Sequence, residues 1–102
     1  MELIDQTIDI STDEYSTIRE LLDQHLPGIP AWVYGSRVKW TSSPTSDLDL
    51  VVFASPEQQH LVHDLQEAFE ESDLLFRVDL FVWNDLPQAF KERIKEKYVV
   101  LS

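Results

Sequence analysis

The sequence contains no cysteine and only two glycines among its 102 residues. Without cysteine the chain has neither disulfides nor thiolate ligands for a metal, and a reducing compartment, the cytoplasm, is the expected location. No segment approaches the roughly 18 consecutive apolar residues of a membrane-spanning helix, and the first residues lack the basic and apolar regions typical of a signal peptide. We therefore expect a cytoplasmic protein with no membrane partner.

Basic residues are also scarce, because 8 Lys and Arg stand against 19 Asp and Glu, a formal net charge of −11. This surplus repels phosphate backbones, so direct binding to nucleic acid is not expected. Hydrophobic residues nevertheless make up 43% of the chain, too many for a disordered acidic tail. Since no repeat or linker interrupts the sequence, we expect residues 1–102 to form a single domain.

Local patterns predict an α+β domain with a small mixed β-sheet flanked by helices. Ser11 and Glu14 have the spacing of a capping box at the start of the first helix, which ends before Pro27-Gly28. Further helices are expected after Ser55-Pro56 and after Asp85, which is a candidate N-cap. Strands are predicted at residues 31–34, 47–53, 76–83 and 98–101.

Three aspartates interrupt these predicted strands. Asp47 and Asp49 lie two residues apart, so their side chains project to the same face and can converge on one cation. Asp79 would complete a cluster if its strand lies beside theirs, and such hard oxygen ligands suit Mg²⁺. A purely structural interpretation stays open, with Asp47 as a turn residue, Asp49 solvated, and Asp79 paired with Arg77.

Gly35-Ser36 follows the buried strand at residues 31–34. A strand that ends in Gly-Ser lets backbone N–H groups and a hydroxyl face a phosphate without obstruction by a side chain. By itself such a pair is usually only a turn, and the polar segment from Arg37 to Ser46 is predicted to be a loop.

Together, Gly35-Ser36, ten intervening residues and Asp47-Leu48-Asp49 resemble the G-S-x(10)-D-x-D motif of polymerase-beta-like nucleotidyltransferases. The fuller wording VYGSRVKWTSSPTSDLDLVVF, followed by RVDLFVW, resembles the minimal nucleotidyltransferase (MNT) family in particular. The likeness covers nearly the whole chain. Trp40 departs from the family pattern, which usually has glycine at this position.

The resemblance implies the polymerase-beta-like nucleotidyltransferase fold and a role for each motif residue. Gly35 and Ser36 would hold the phosphates of ATP. Asp47 and Asp49 would bind Mg²⁺, and Asp79 would be the third carboxylate, which assists the attacking hydroxyl. Members of the family often pair with a small, all-helical HEPN-type protein encoded next to them, as antitoxin to its toxin, and in some cases transfer AMP from ATP to the partner.

Other polar residues near the motif are interpreted from sequence alone. Arg37 and Lys39 come directly after the Gly35-Ser36 turn that is expected to hold the phosphates. They are candidate triphosphate contacts, with a solvated surface role equally open. His60 and His63 have no apparent third ligand and are expected at the surface. Trp40, in a polar loop, could stack on a base or meet a partner.

Two functions are therefore expected, and they differ in whether the site is catalytic. The first is a Mg²⁺-dependent nucleotidyltransferase that moves a nucleoside monophosphate, AMP from ATP, to a hydroxyl on a HEPN-type toxin. The alternative is a nucleotide-binding subunit that neutralises or complements such a partner by contact alone.

Overall fold

The structure, a computed structural model, describes residues 8–102; the start of the predicted domain and the segment examined for a signal peptide lie outside that range. Helices and strands follow in the predicted order. In chain order they are α1 (Thr12–His25), β1 (Ala31–Tyr34), α2 (Ser36–Lys39), β2 (Leu48–Val52), α3 (Gln59–Glu71), β3 (Val78–Val82), α4 (Gln88–Glu96) and β4 (Tyr98–Val100). The α+β prediction is confirmed. None of the described helices has the length and apolar character that crossing a membrane requires.

The four strands form one sheet in the order β3-β2-β1-β4. Strand β1 pairs antiparallel with both β2 and β4, whereas β2 and β3 run parallel. A parallel pair needs a crossover connection, and α3 supplies it. The mixed sheet brings the two aspartate-bearing strands side by side, as the carboxylate cluster requires.

The two faces of the sheet differ in what covers them. Residues Leu48, Leu50 and Val52 are fully buried in the main core, together with apolar residues of α1 and α3. The opposite face carries a smaller cluster in which Tyr34 and Val51 meet Ile94 of α4. The predicted alternation along β2 is thus confirmed, and the aspartates lie on the face that the main core leaves free.

Two local predictions were wrong. The first three residues of the predicted loop, 37–39, belong to a one-turn helix, Ser36–Lys39, that begins directly after Gly35. Asp85 does not cap the last helix, which begins at Gln88 with Pro87 at its N-cap. The cause is the Leu86-Pro87 pair, because a residue before proline is disfavoured in helical conformation and Leu86 is extended.

Arg37 is buried at 4% exposure and fastens the loop between α2 and β2. Its guanidinium nitrogens donate hydrogen bonds of 2.7 to 3.3 Å to the backbone carbonyls of Asp9, Ser43, Pro44 and Ser46. The guanidinium also lies 4.1 Å from the centre of the Phe76 ring. Because the chain reaches Asp47 directly after this loop, Arg37 positions the first aspartate of the motif.

We expect Arg37→Lys to lower the free energy of unfolding by about 2–3 kcal/mol, measured by urea denaturation. A lysine ammonium cannot follow the planar fork of the guanidinium, so several partly buried carbonyls lose their donor. Lys39→Ala, an exposed position two residues away, is the control and should change stability by no more than about 0.5 kcal/mol. Equal effects of the two substitutions would contradict the structural role of Arg37.

Candidate active site

The register of β2 and β3 places two of the predicted aspartates side by side. Asp49 of β2 pairs in register with Asp79 of β3, and both are partly buried. Asp47 lies just before β2 on the same side of the chain as Asp49. The condition set by the sequence, that the Asp79 strand lie beside the Asp47–Asp49 strand, is met.

Gly35 makes room for Asp49. In the antiparallel pair of β1 and β2, Asp49 lies opposite Tyr34, so the next residue, Gly35, comes close to its carboxylate. A Cβ built on Gly35 would overlap Oδ2 of Asp49, and Gly35 has φ +86°, a conformation that other residues rarely adopt. Both constraints require glycine here. The motif glycine is therefore explained by contact with the carboxylate cluster as well as by the turn.

The cluster changes the acidity of its central carboxylate. Burial, followed by the charges of Asp79 and Asp47, raises the pKa of Asp49 to about 6. Burial and the nearby charges of Asp49 and Asp79 also raise the pKa of the Tyr34 hydroxyl above its ordinary value, so that hydroxyl keeps its proton at neutral pH. The three carboxylates are thus close enough to repel one another, which a cation would relieve.

Arg77 supplies a positive charge to two of them. Its Nη2 lies 2.9 Å from Oδ2 of Asp47, and its Nε lies 3.0 Å from Oδ1 of Asp79. Within residues 8–102, no three acidic or imidazole side chains are gathered in the arrangement of a metal site. Asp47 and Asp79 are each paired with the exposed Arg77, so the Arg77–Asp79 ion pair considered from the sequence is present.

The four residues predicted to bind nucleotide separate into two groups. Gly35 and Ser36, at the turn into α2, are partly accessible. Lys39 is exposed and lines an open cavity of about 150 Å³ with Gly35 and Tyr34. Arg37 points into the protein, where its N–H groups are used by loop carbonyls. A triphosphate contact by Arg37 stays a prediction, and its contacts favour the structural role.

Two basic residues at this cavity were missed from the sequence. Arg93 and Lys97, on α4 and directly after it, line the same cavity as Gly35 and Lys39. The sequence shows only that they lie near the end of a helix, where cations favour the helix dipole. Their proximity to the motif arises from the packing of α4 on the free face of the sheet.

The histidines and tryptophans mostly lie at the surface or pack against other side chains. His60 and His63 are exposed on α3, and His63 Nε2 lies 3.3 Å from a carboxylate oxygen of Glu67. Trp32 stacks on Tyr98 with ring centres 3.9 Å apart. Trp40 is 50% exposed at the end of α2 with φ 59°, a left-handed conformation that accounts for glycine being usual here.

Comparisons with known proteins identify the family and the fold of this chain. The family described as "Polymerase beta, Nucleotidyltransferase" matches residues 16–102. The chain is 40% identical over 96 residues, 93% of its length and 84% of the relative's, to the "Probable protein adenylyltransferase MntA" of Haemophilus influenzae (strain ATCC 51907 / DSM 11121 / KW20 / Rd). A solved crystal structure of a toxin-antitoxin with AMP-PNP has a similar fold, with a TM-score of 0.62 and 19% identity over 86% of this chain and 72% of that one.

The raised pKa of Asp49 predicts a pH-dependent effect of Asp49→Asn in metal-free protein. A carboxyl with a raised pKa in the folded state destabilises that state when ionised, so stability falls as the pH rises from about 4 to above 6. Asp49→Asn removes this charge and should raise the thermal midpoint at pH 8, with the gain shrinking towards pH 4.5. The groups facing Asp49 are Asp47, Asp79 and Tyr34.

The control for this measurement is Asp64→Asn, which removes an exposed carboxylate on α3. It separates the local effect from the general benefit of lowering a net charge of −11. If both substitutions raise the midpoint equally at every pH, the mutual repulsion within the cluster is not the cause.

Proposed function

Because the chain belongs to the minimal nucleotidyltransferase family of the polymerase-beta-like superfamily, and is thus a nucleotidyltransferase, we propose that it transfers AMP from ATP to a hydroxyl on a partner protein. The proposed partner is a small, all-helical HEPN-type toxin encoded by an adjacent gene, for which this chain is the antitoxin. The observation that carries the proposal is the facing pair Asp49 and Asp79, with Asp47 beside them and Gly35 against Asp49.

Mg²⁺ is the proposed cofactor, and Asp47, Asp49 and Asp79 would hold it. The donor set fits, because carboxylate oxygens are the ligands that Mg²⁺ prefers. Burial raises the pKa of Asp49, and the charges of Asp79 and Asp47 add to this effect; a divalent cation would neutralise that negative charge. When bound, the ion supplies neutralisation of the charge that develops on the phosphates. Arg77 contacts one oxygen of Asp47 and one oxygen of Asp79, which leaves the second oxygen of each carboxylate for a cation.

The reaction is a displacement at the α-phosphorus of ATP. The acceptor hydroxyl oxygen forms a new bond to that phosphorus, and the bond to the oxygen bridging the α- and β-phosphates breaks. Pyrophosphate leaves with the bonding electron pair, and the hydroxyl proton passes to Asp79. Gly35 and Ser36 keep the phosphates in place, and such positioning accounts for much of the rate in phosphoryl transfer chemistry.

A protein acceptor is supported by two findings. The relative from Haemophilus influenzae carries the name of a protein adenylyltransferase at 40% identity. The main core lies on one face of the sheet, and the aspartates lie on the other, where a partner protein could approach them. The net charge of −11 suits a basic partner.

A second candidate is the non-catalytic subunit that neutralises its partner by contact alone. The observation in its favour is Arg77, which already satisfies Asp47 and Asp79 without a metal. In this case the carboxylates would be structural, and loss of their charge would leave neutralisation of the partner intact.

The test mixes the protein with ATP, Mg²⁺ and the purified helical protein from the adjacent reading frame, and weighs the partner by intact mass spectrometry. We expect a mass increase of one or more AMP residues. Asp47→Asn/Asp49→Asn should reduce the rate of adduct formation on the order of 100-fold or more, because the charge on the transferring phosphate is no longer neutralised.

The matched control is Asp64→Asn/Asp73→Asn, which removes two exposed carboxylates away from the cluster and should leave the rate within about twofold. A tight complex without adduct would overturn the catalytic proposal. Full neutralisation of the toxin in cells by Asp47→Asn/Asp49→Asn would favour the contact-only function instead.

A further inference from the structure

Three basic side chains converge on one cavity although the protein is strongly acidic. Of the 8 Lys and Arg in the chain, Lys39, Arg93 and Lys97 line the cavity beside Gly35. In the part of the chain that the structure describes, no ion pair involves any of the three, and no carboxylate lines the cavity. All three residues are exposed, so solvent screens their mutual repulsion, but the local excess of positive charge would attract an anion.

Tyr34 also lines this cavity and carries a buried hydroxyl that lacks a partner among the described residues. Tyr34 is 7% exposed, and its Oη makes no hydrogen bond with any atom of residues 8–102. A buried polar group without a partner is rare and is usually explained by a ligand, an ion or water. A phenol hydroxyl has an O–H that can donate a hydrogen bond to an acceptor in the cavity.

The helix dipole does not account for this arrangement. Cations at the end of α4 favour the dipole, which explains Arg93 and Lys97 separately. Lys39 belongs to another element, however, and Tyr34 is on β1. The contribution of three elements to one positive cavity requires an explanation from the tertiary structure.

The cavity also adjoins the carboxylate cluster at Gly35. Gly35 lines the cavity and at the same time lies against Oδ2 of Asp49. A chain of phosphates that passes Gly35 would therefore have one end at the carboxylates and the other among the basic side chains. The volume of about 150 Å³ exceeds the roughly 10–15 Å³ that a single water needs by the same measure, so it admits phosphate groups.

We propose that Lys39, Arg93, Lys97 and the Tyr34 hydroxyl form an anion subsite for the terminal phosphates of a nucleoside triphosphate. The inference rests on the proposed function and extends it by naming the residues that hold the leaving group. When the bond between the α-phosphorus and the bridging oxygen breaks, the negative charge that moves onto pyrophosphate is met by this subsite. No proton transfer from the subsite is needed.

The test compares two double substitutions on the same helix by calorimetry. Arg93→Gln/Lys97→Gln removes two charges from the cavity, whereas Lys91→Gln/Lys95→Gln removes two charges that lie 5.5 and 6.0 Å from the ring centre of Trp83. The probes are a non-hydrolysable ATP analogue, AMP, and inorganic tripolyphosphate. Tyr34→Phe, which deletes only the hydroxyl, is measured beside them.

We expect the cavity variant to bind the ATP analogue and tripolyphosphate at least about tenfold more weakly, with AMP affinity unchanged within about twofold. The helix control should change all affinities by less than about threefold. Tyr34→Phe should weaken only the probes with terminal phosphates, by about threefold to tenfold. Circular dichroism and thermal midpoints check that each variant is folded.

Three outcomes would overturn the subsite. The first is that both double variants weaken the binding of the ATP analogue equally. The second is that the cavity variant weakens the binding of AMP as much as that of the ATP analogue. The third is that a folded cavity variant binds tripolyphosphate with unchanged affinity. Adduct formation on the partner by a folded Arg93→Gln/Lys97→Gln protein at the wild-type rate and ATP KM would overturn it while leaving the proposed function intact. Absence of adduct with wild-type protein that still binds tripolyphosphate in this cavity would overturn only the proposed transfer.

Discussion

The main physical constraint on this protein is the repulsion between two carboxylates that lie side by side on neighbouring parallel strands. Asp49 and Asp79 share a register position, and their mutual repulsion is added to the cost of burial. The surrounding structure responds to that cost. Gly35 has no side chain and so leaves room for Asp49, and the guanidinium of Arg77 lies between Asp47 and Asp79. An apolar pair at this register would stabilise the sheet better, so the carboxylates point to chemistry.

One face of the sheet is covered by the main core, and part of the other face is left uncovered. Helices α1 and α3 bury the core face, whose apolar residues supply most of the hydrophobic stabilisation. Helix α4 covers only part of the opposite face through a small cluster around Ile94. The uncovered part holds the aspartates, and the edge of α4 brings basic side chains towards Gly35. Opposite charges thus lie on the two sides of Gly35, an arrangement that suits the proposed nucleotide and its phosphates.

The loop between α2 and β2 shows how a functional motif depends on a residue with a structural role. Ten residues separate Ser36 from Asp47, and many loop conformations could span them. Arg37 selects one of these conformations, because it gathers carbonyls from the loop and from Asp9 around one buried guanidinium. Because Arg37 follows Gly35-Ser36 directly, the sequence suggested that it contacts the triphosphate. Burial of the guanidinium and its stacking on Phe76 show what the side chain does in the folded chain.

Sequence alone determined the features that depend on local chemistry. The capping box of Ser11 and Glu14 forms as its spacing predicts, and the alternation along β2 separates core residues from aspartates because side chains of a strand alternate by geometry. It also identified the family, through a motif whose parts are individually weak. The start of α4 was misplaced because Leu86-Pro87 overrode the capping preference of Asp85.

Only the tertiary structure decided which distant residues meet. The pairing of Asp49 with Asp79 required β2 and β3 to be parallel neighbours, which periodicity cannot specify. Arg93 and Lys97 reach Gly35 because α4 packs across the sheet, although more than half of the chain separates them in sequence. Contacts of this kind arise from chain folding in three dimensions, so no local pattern of residues encodes them directly.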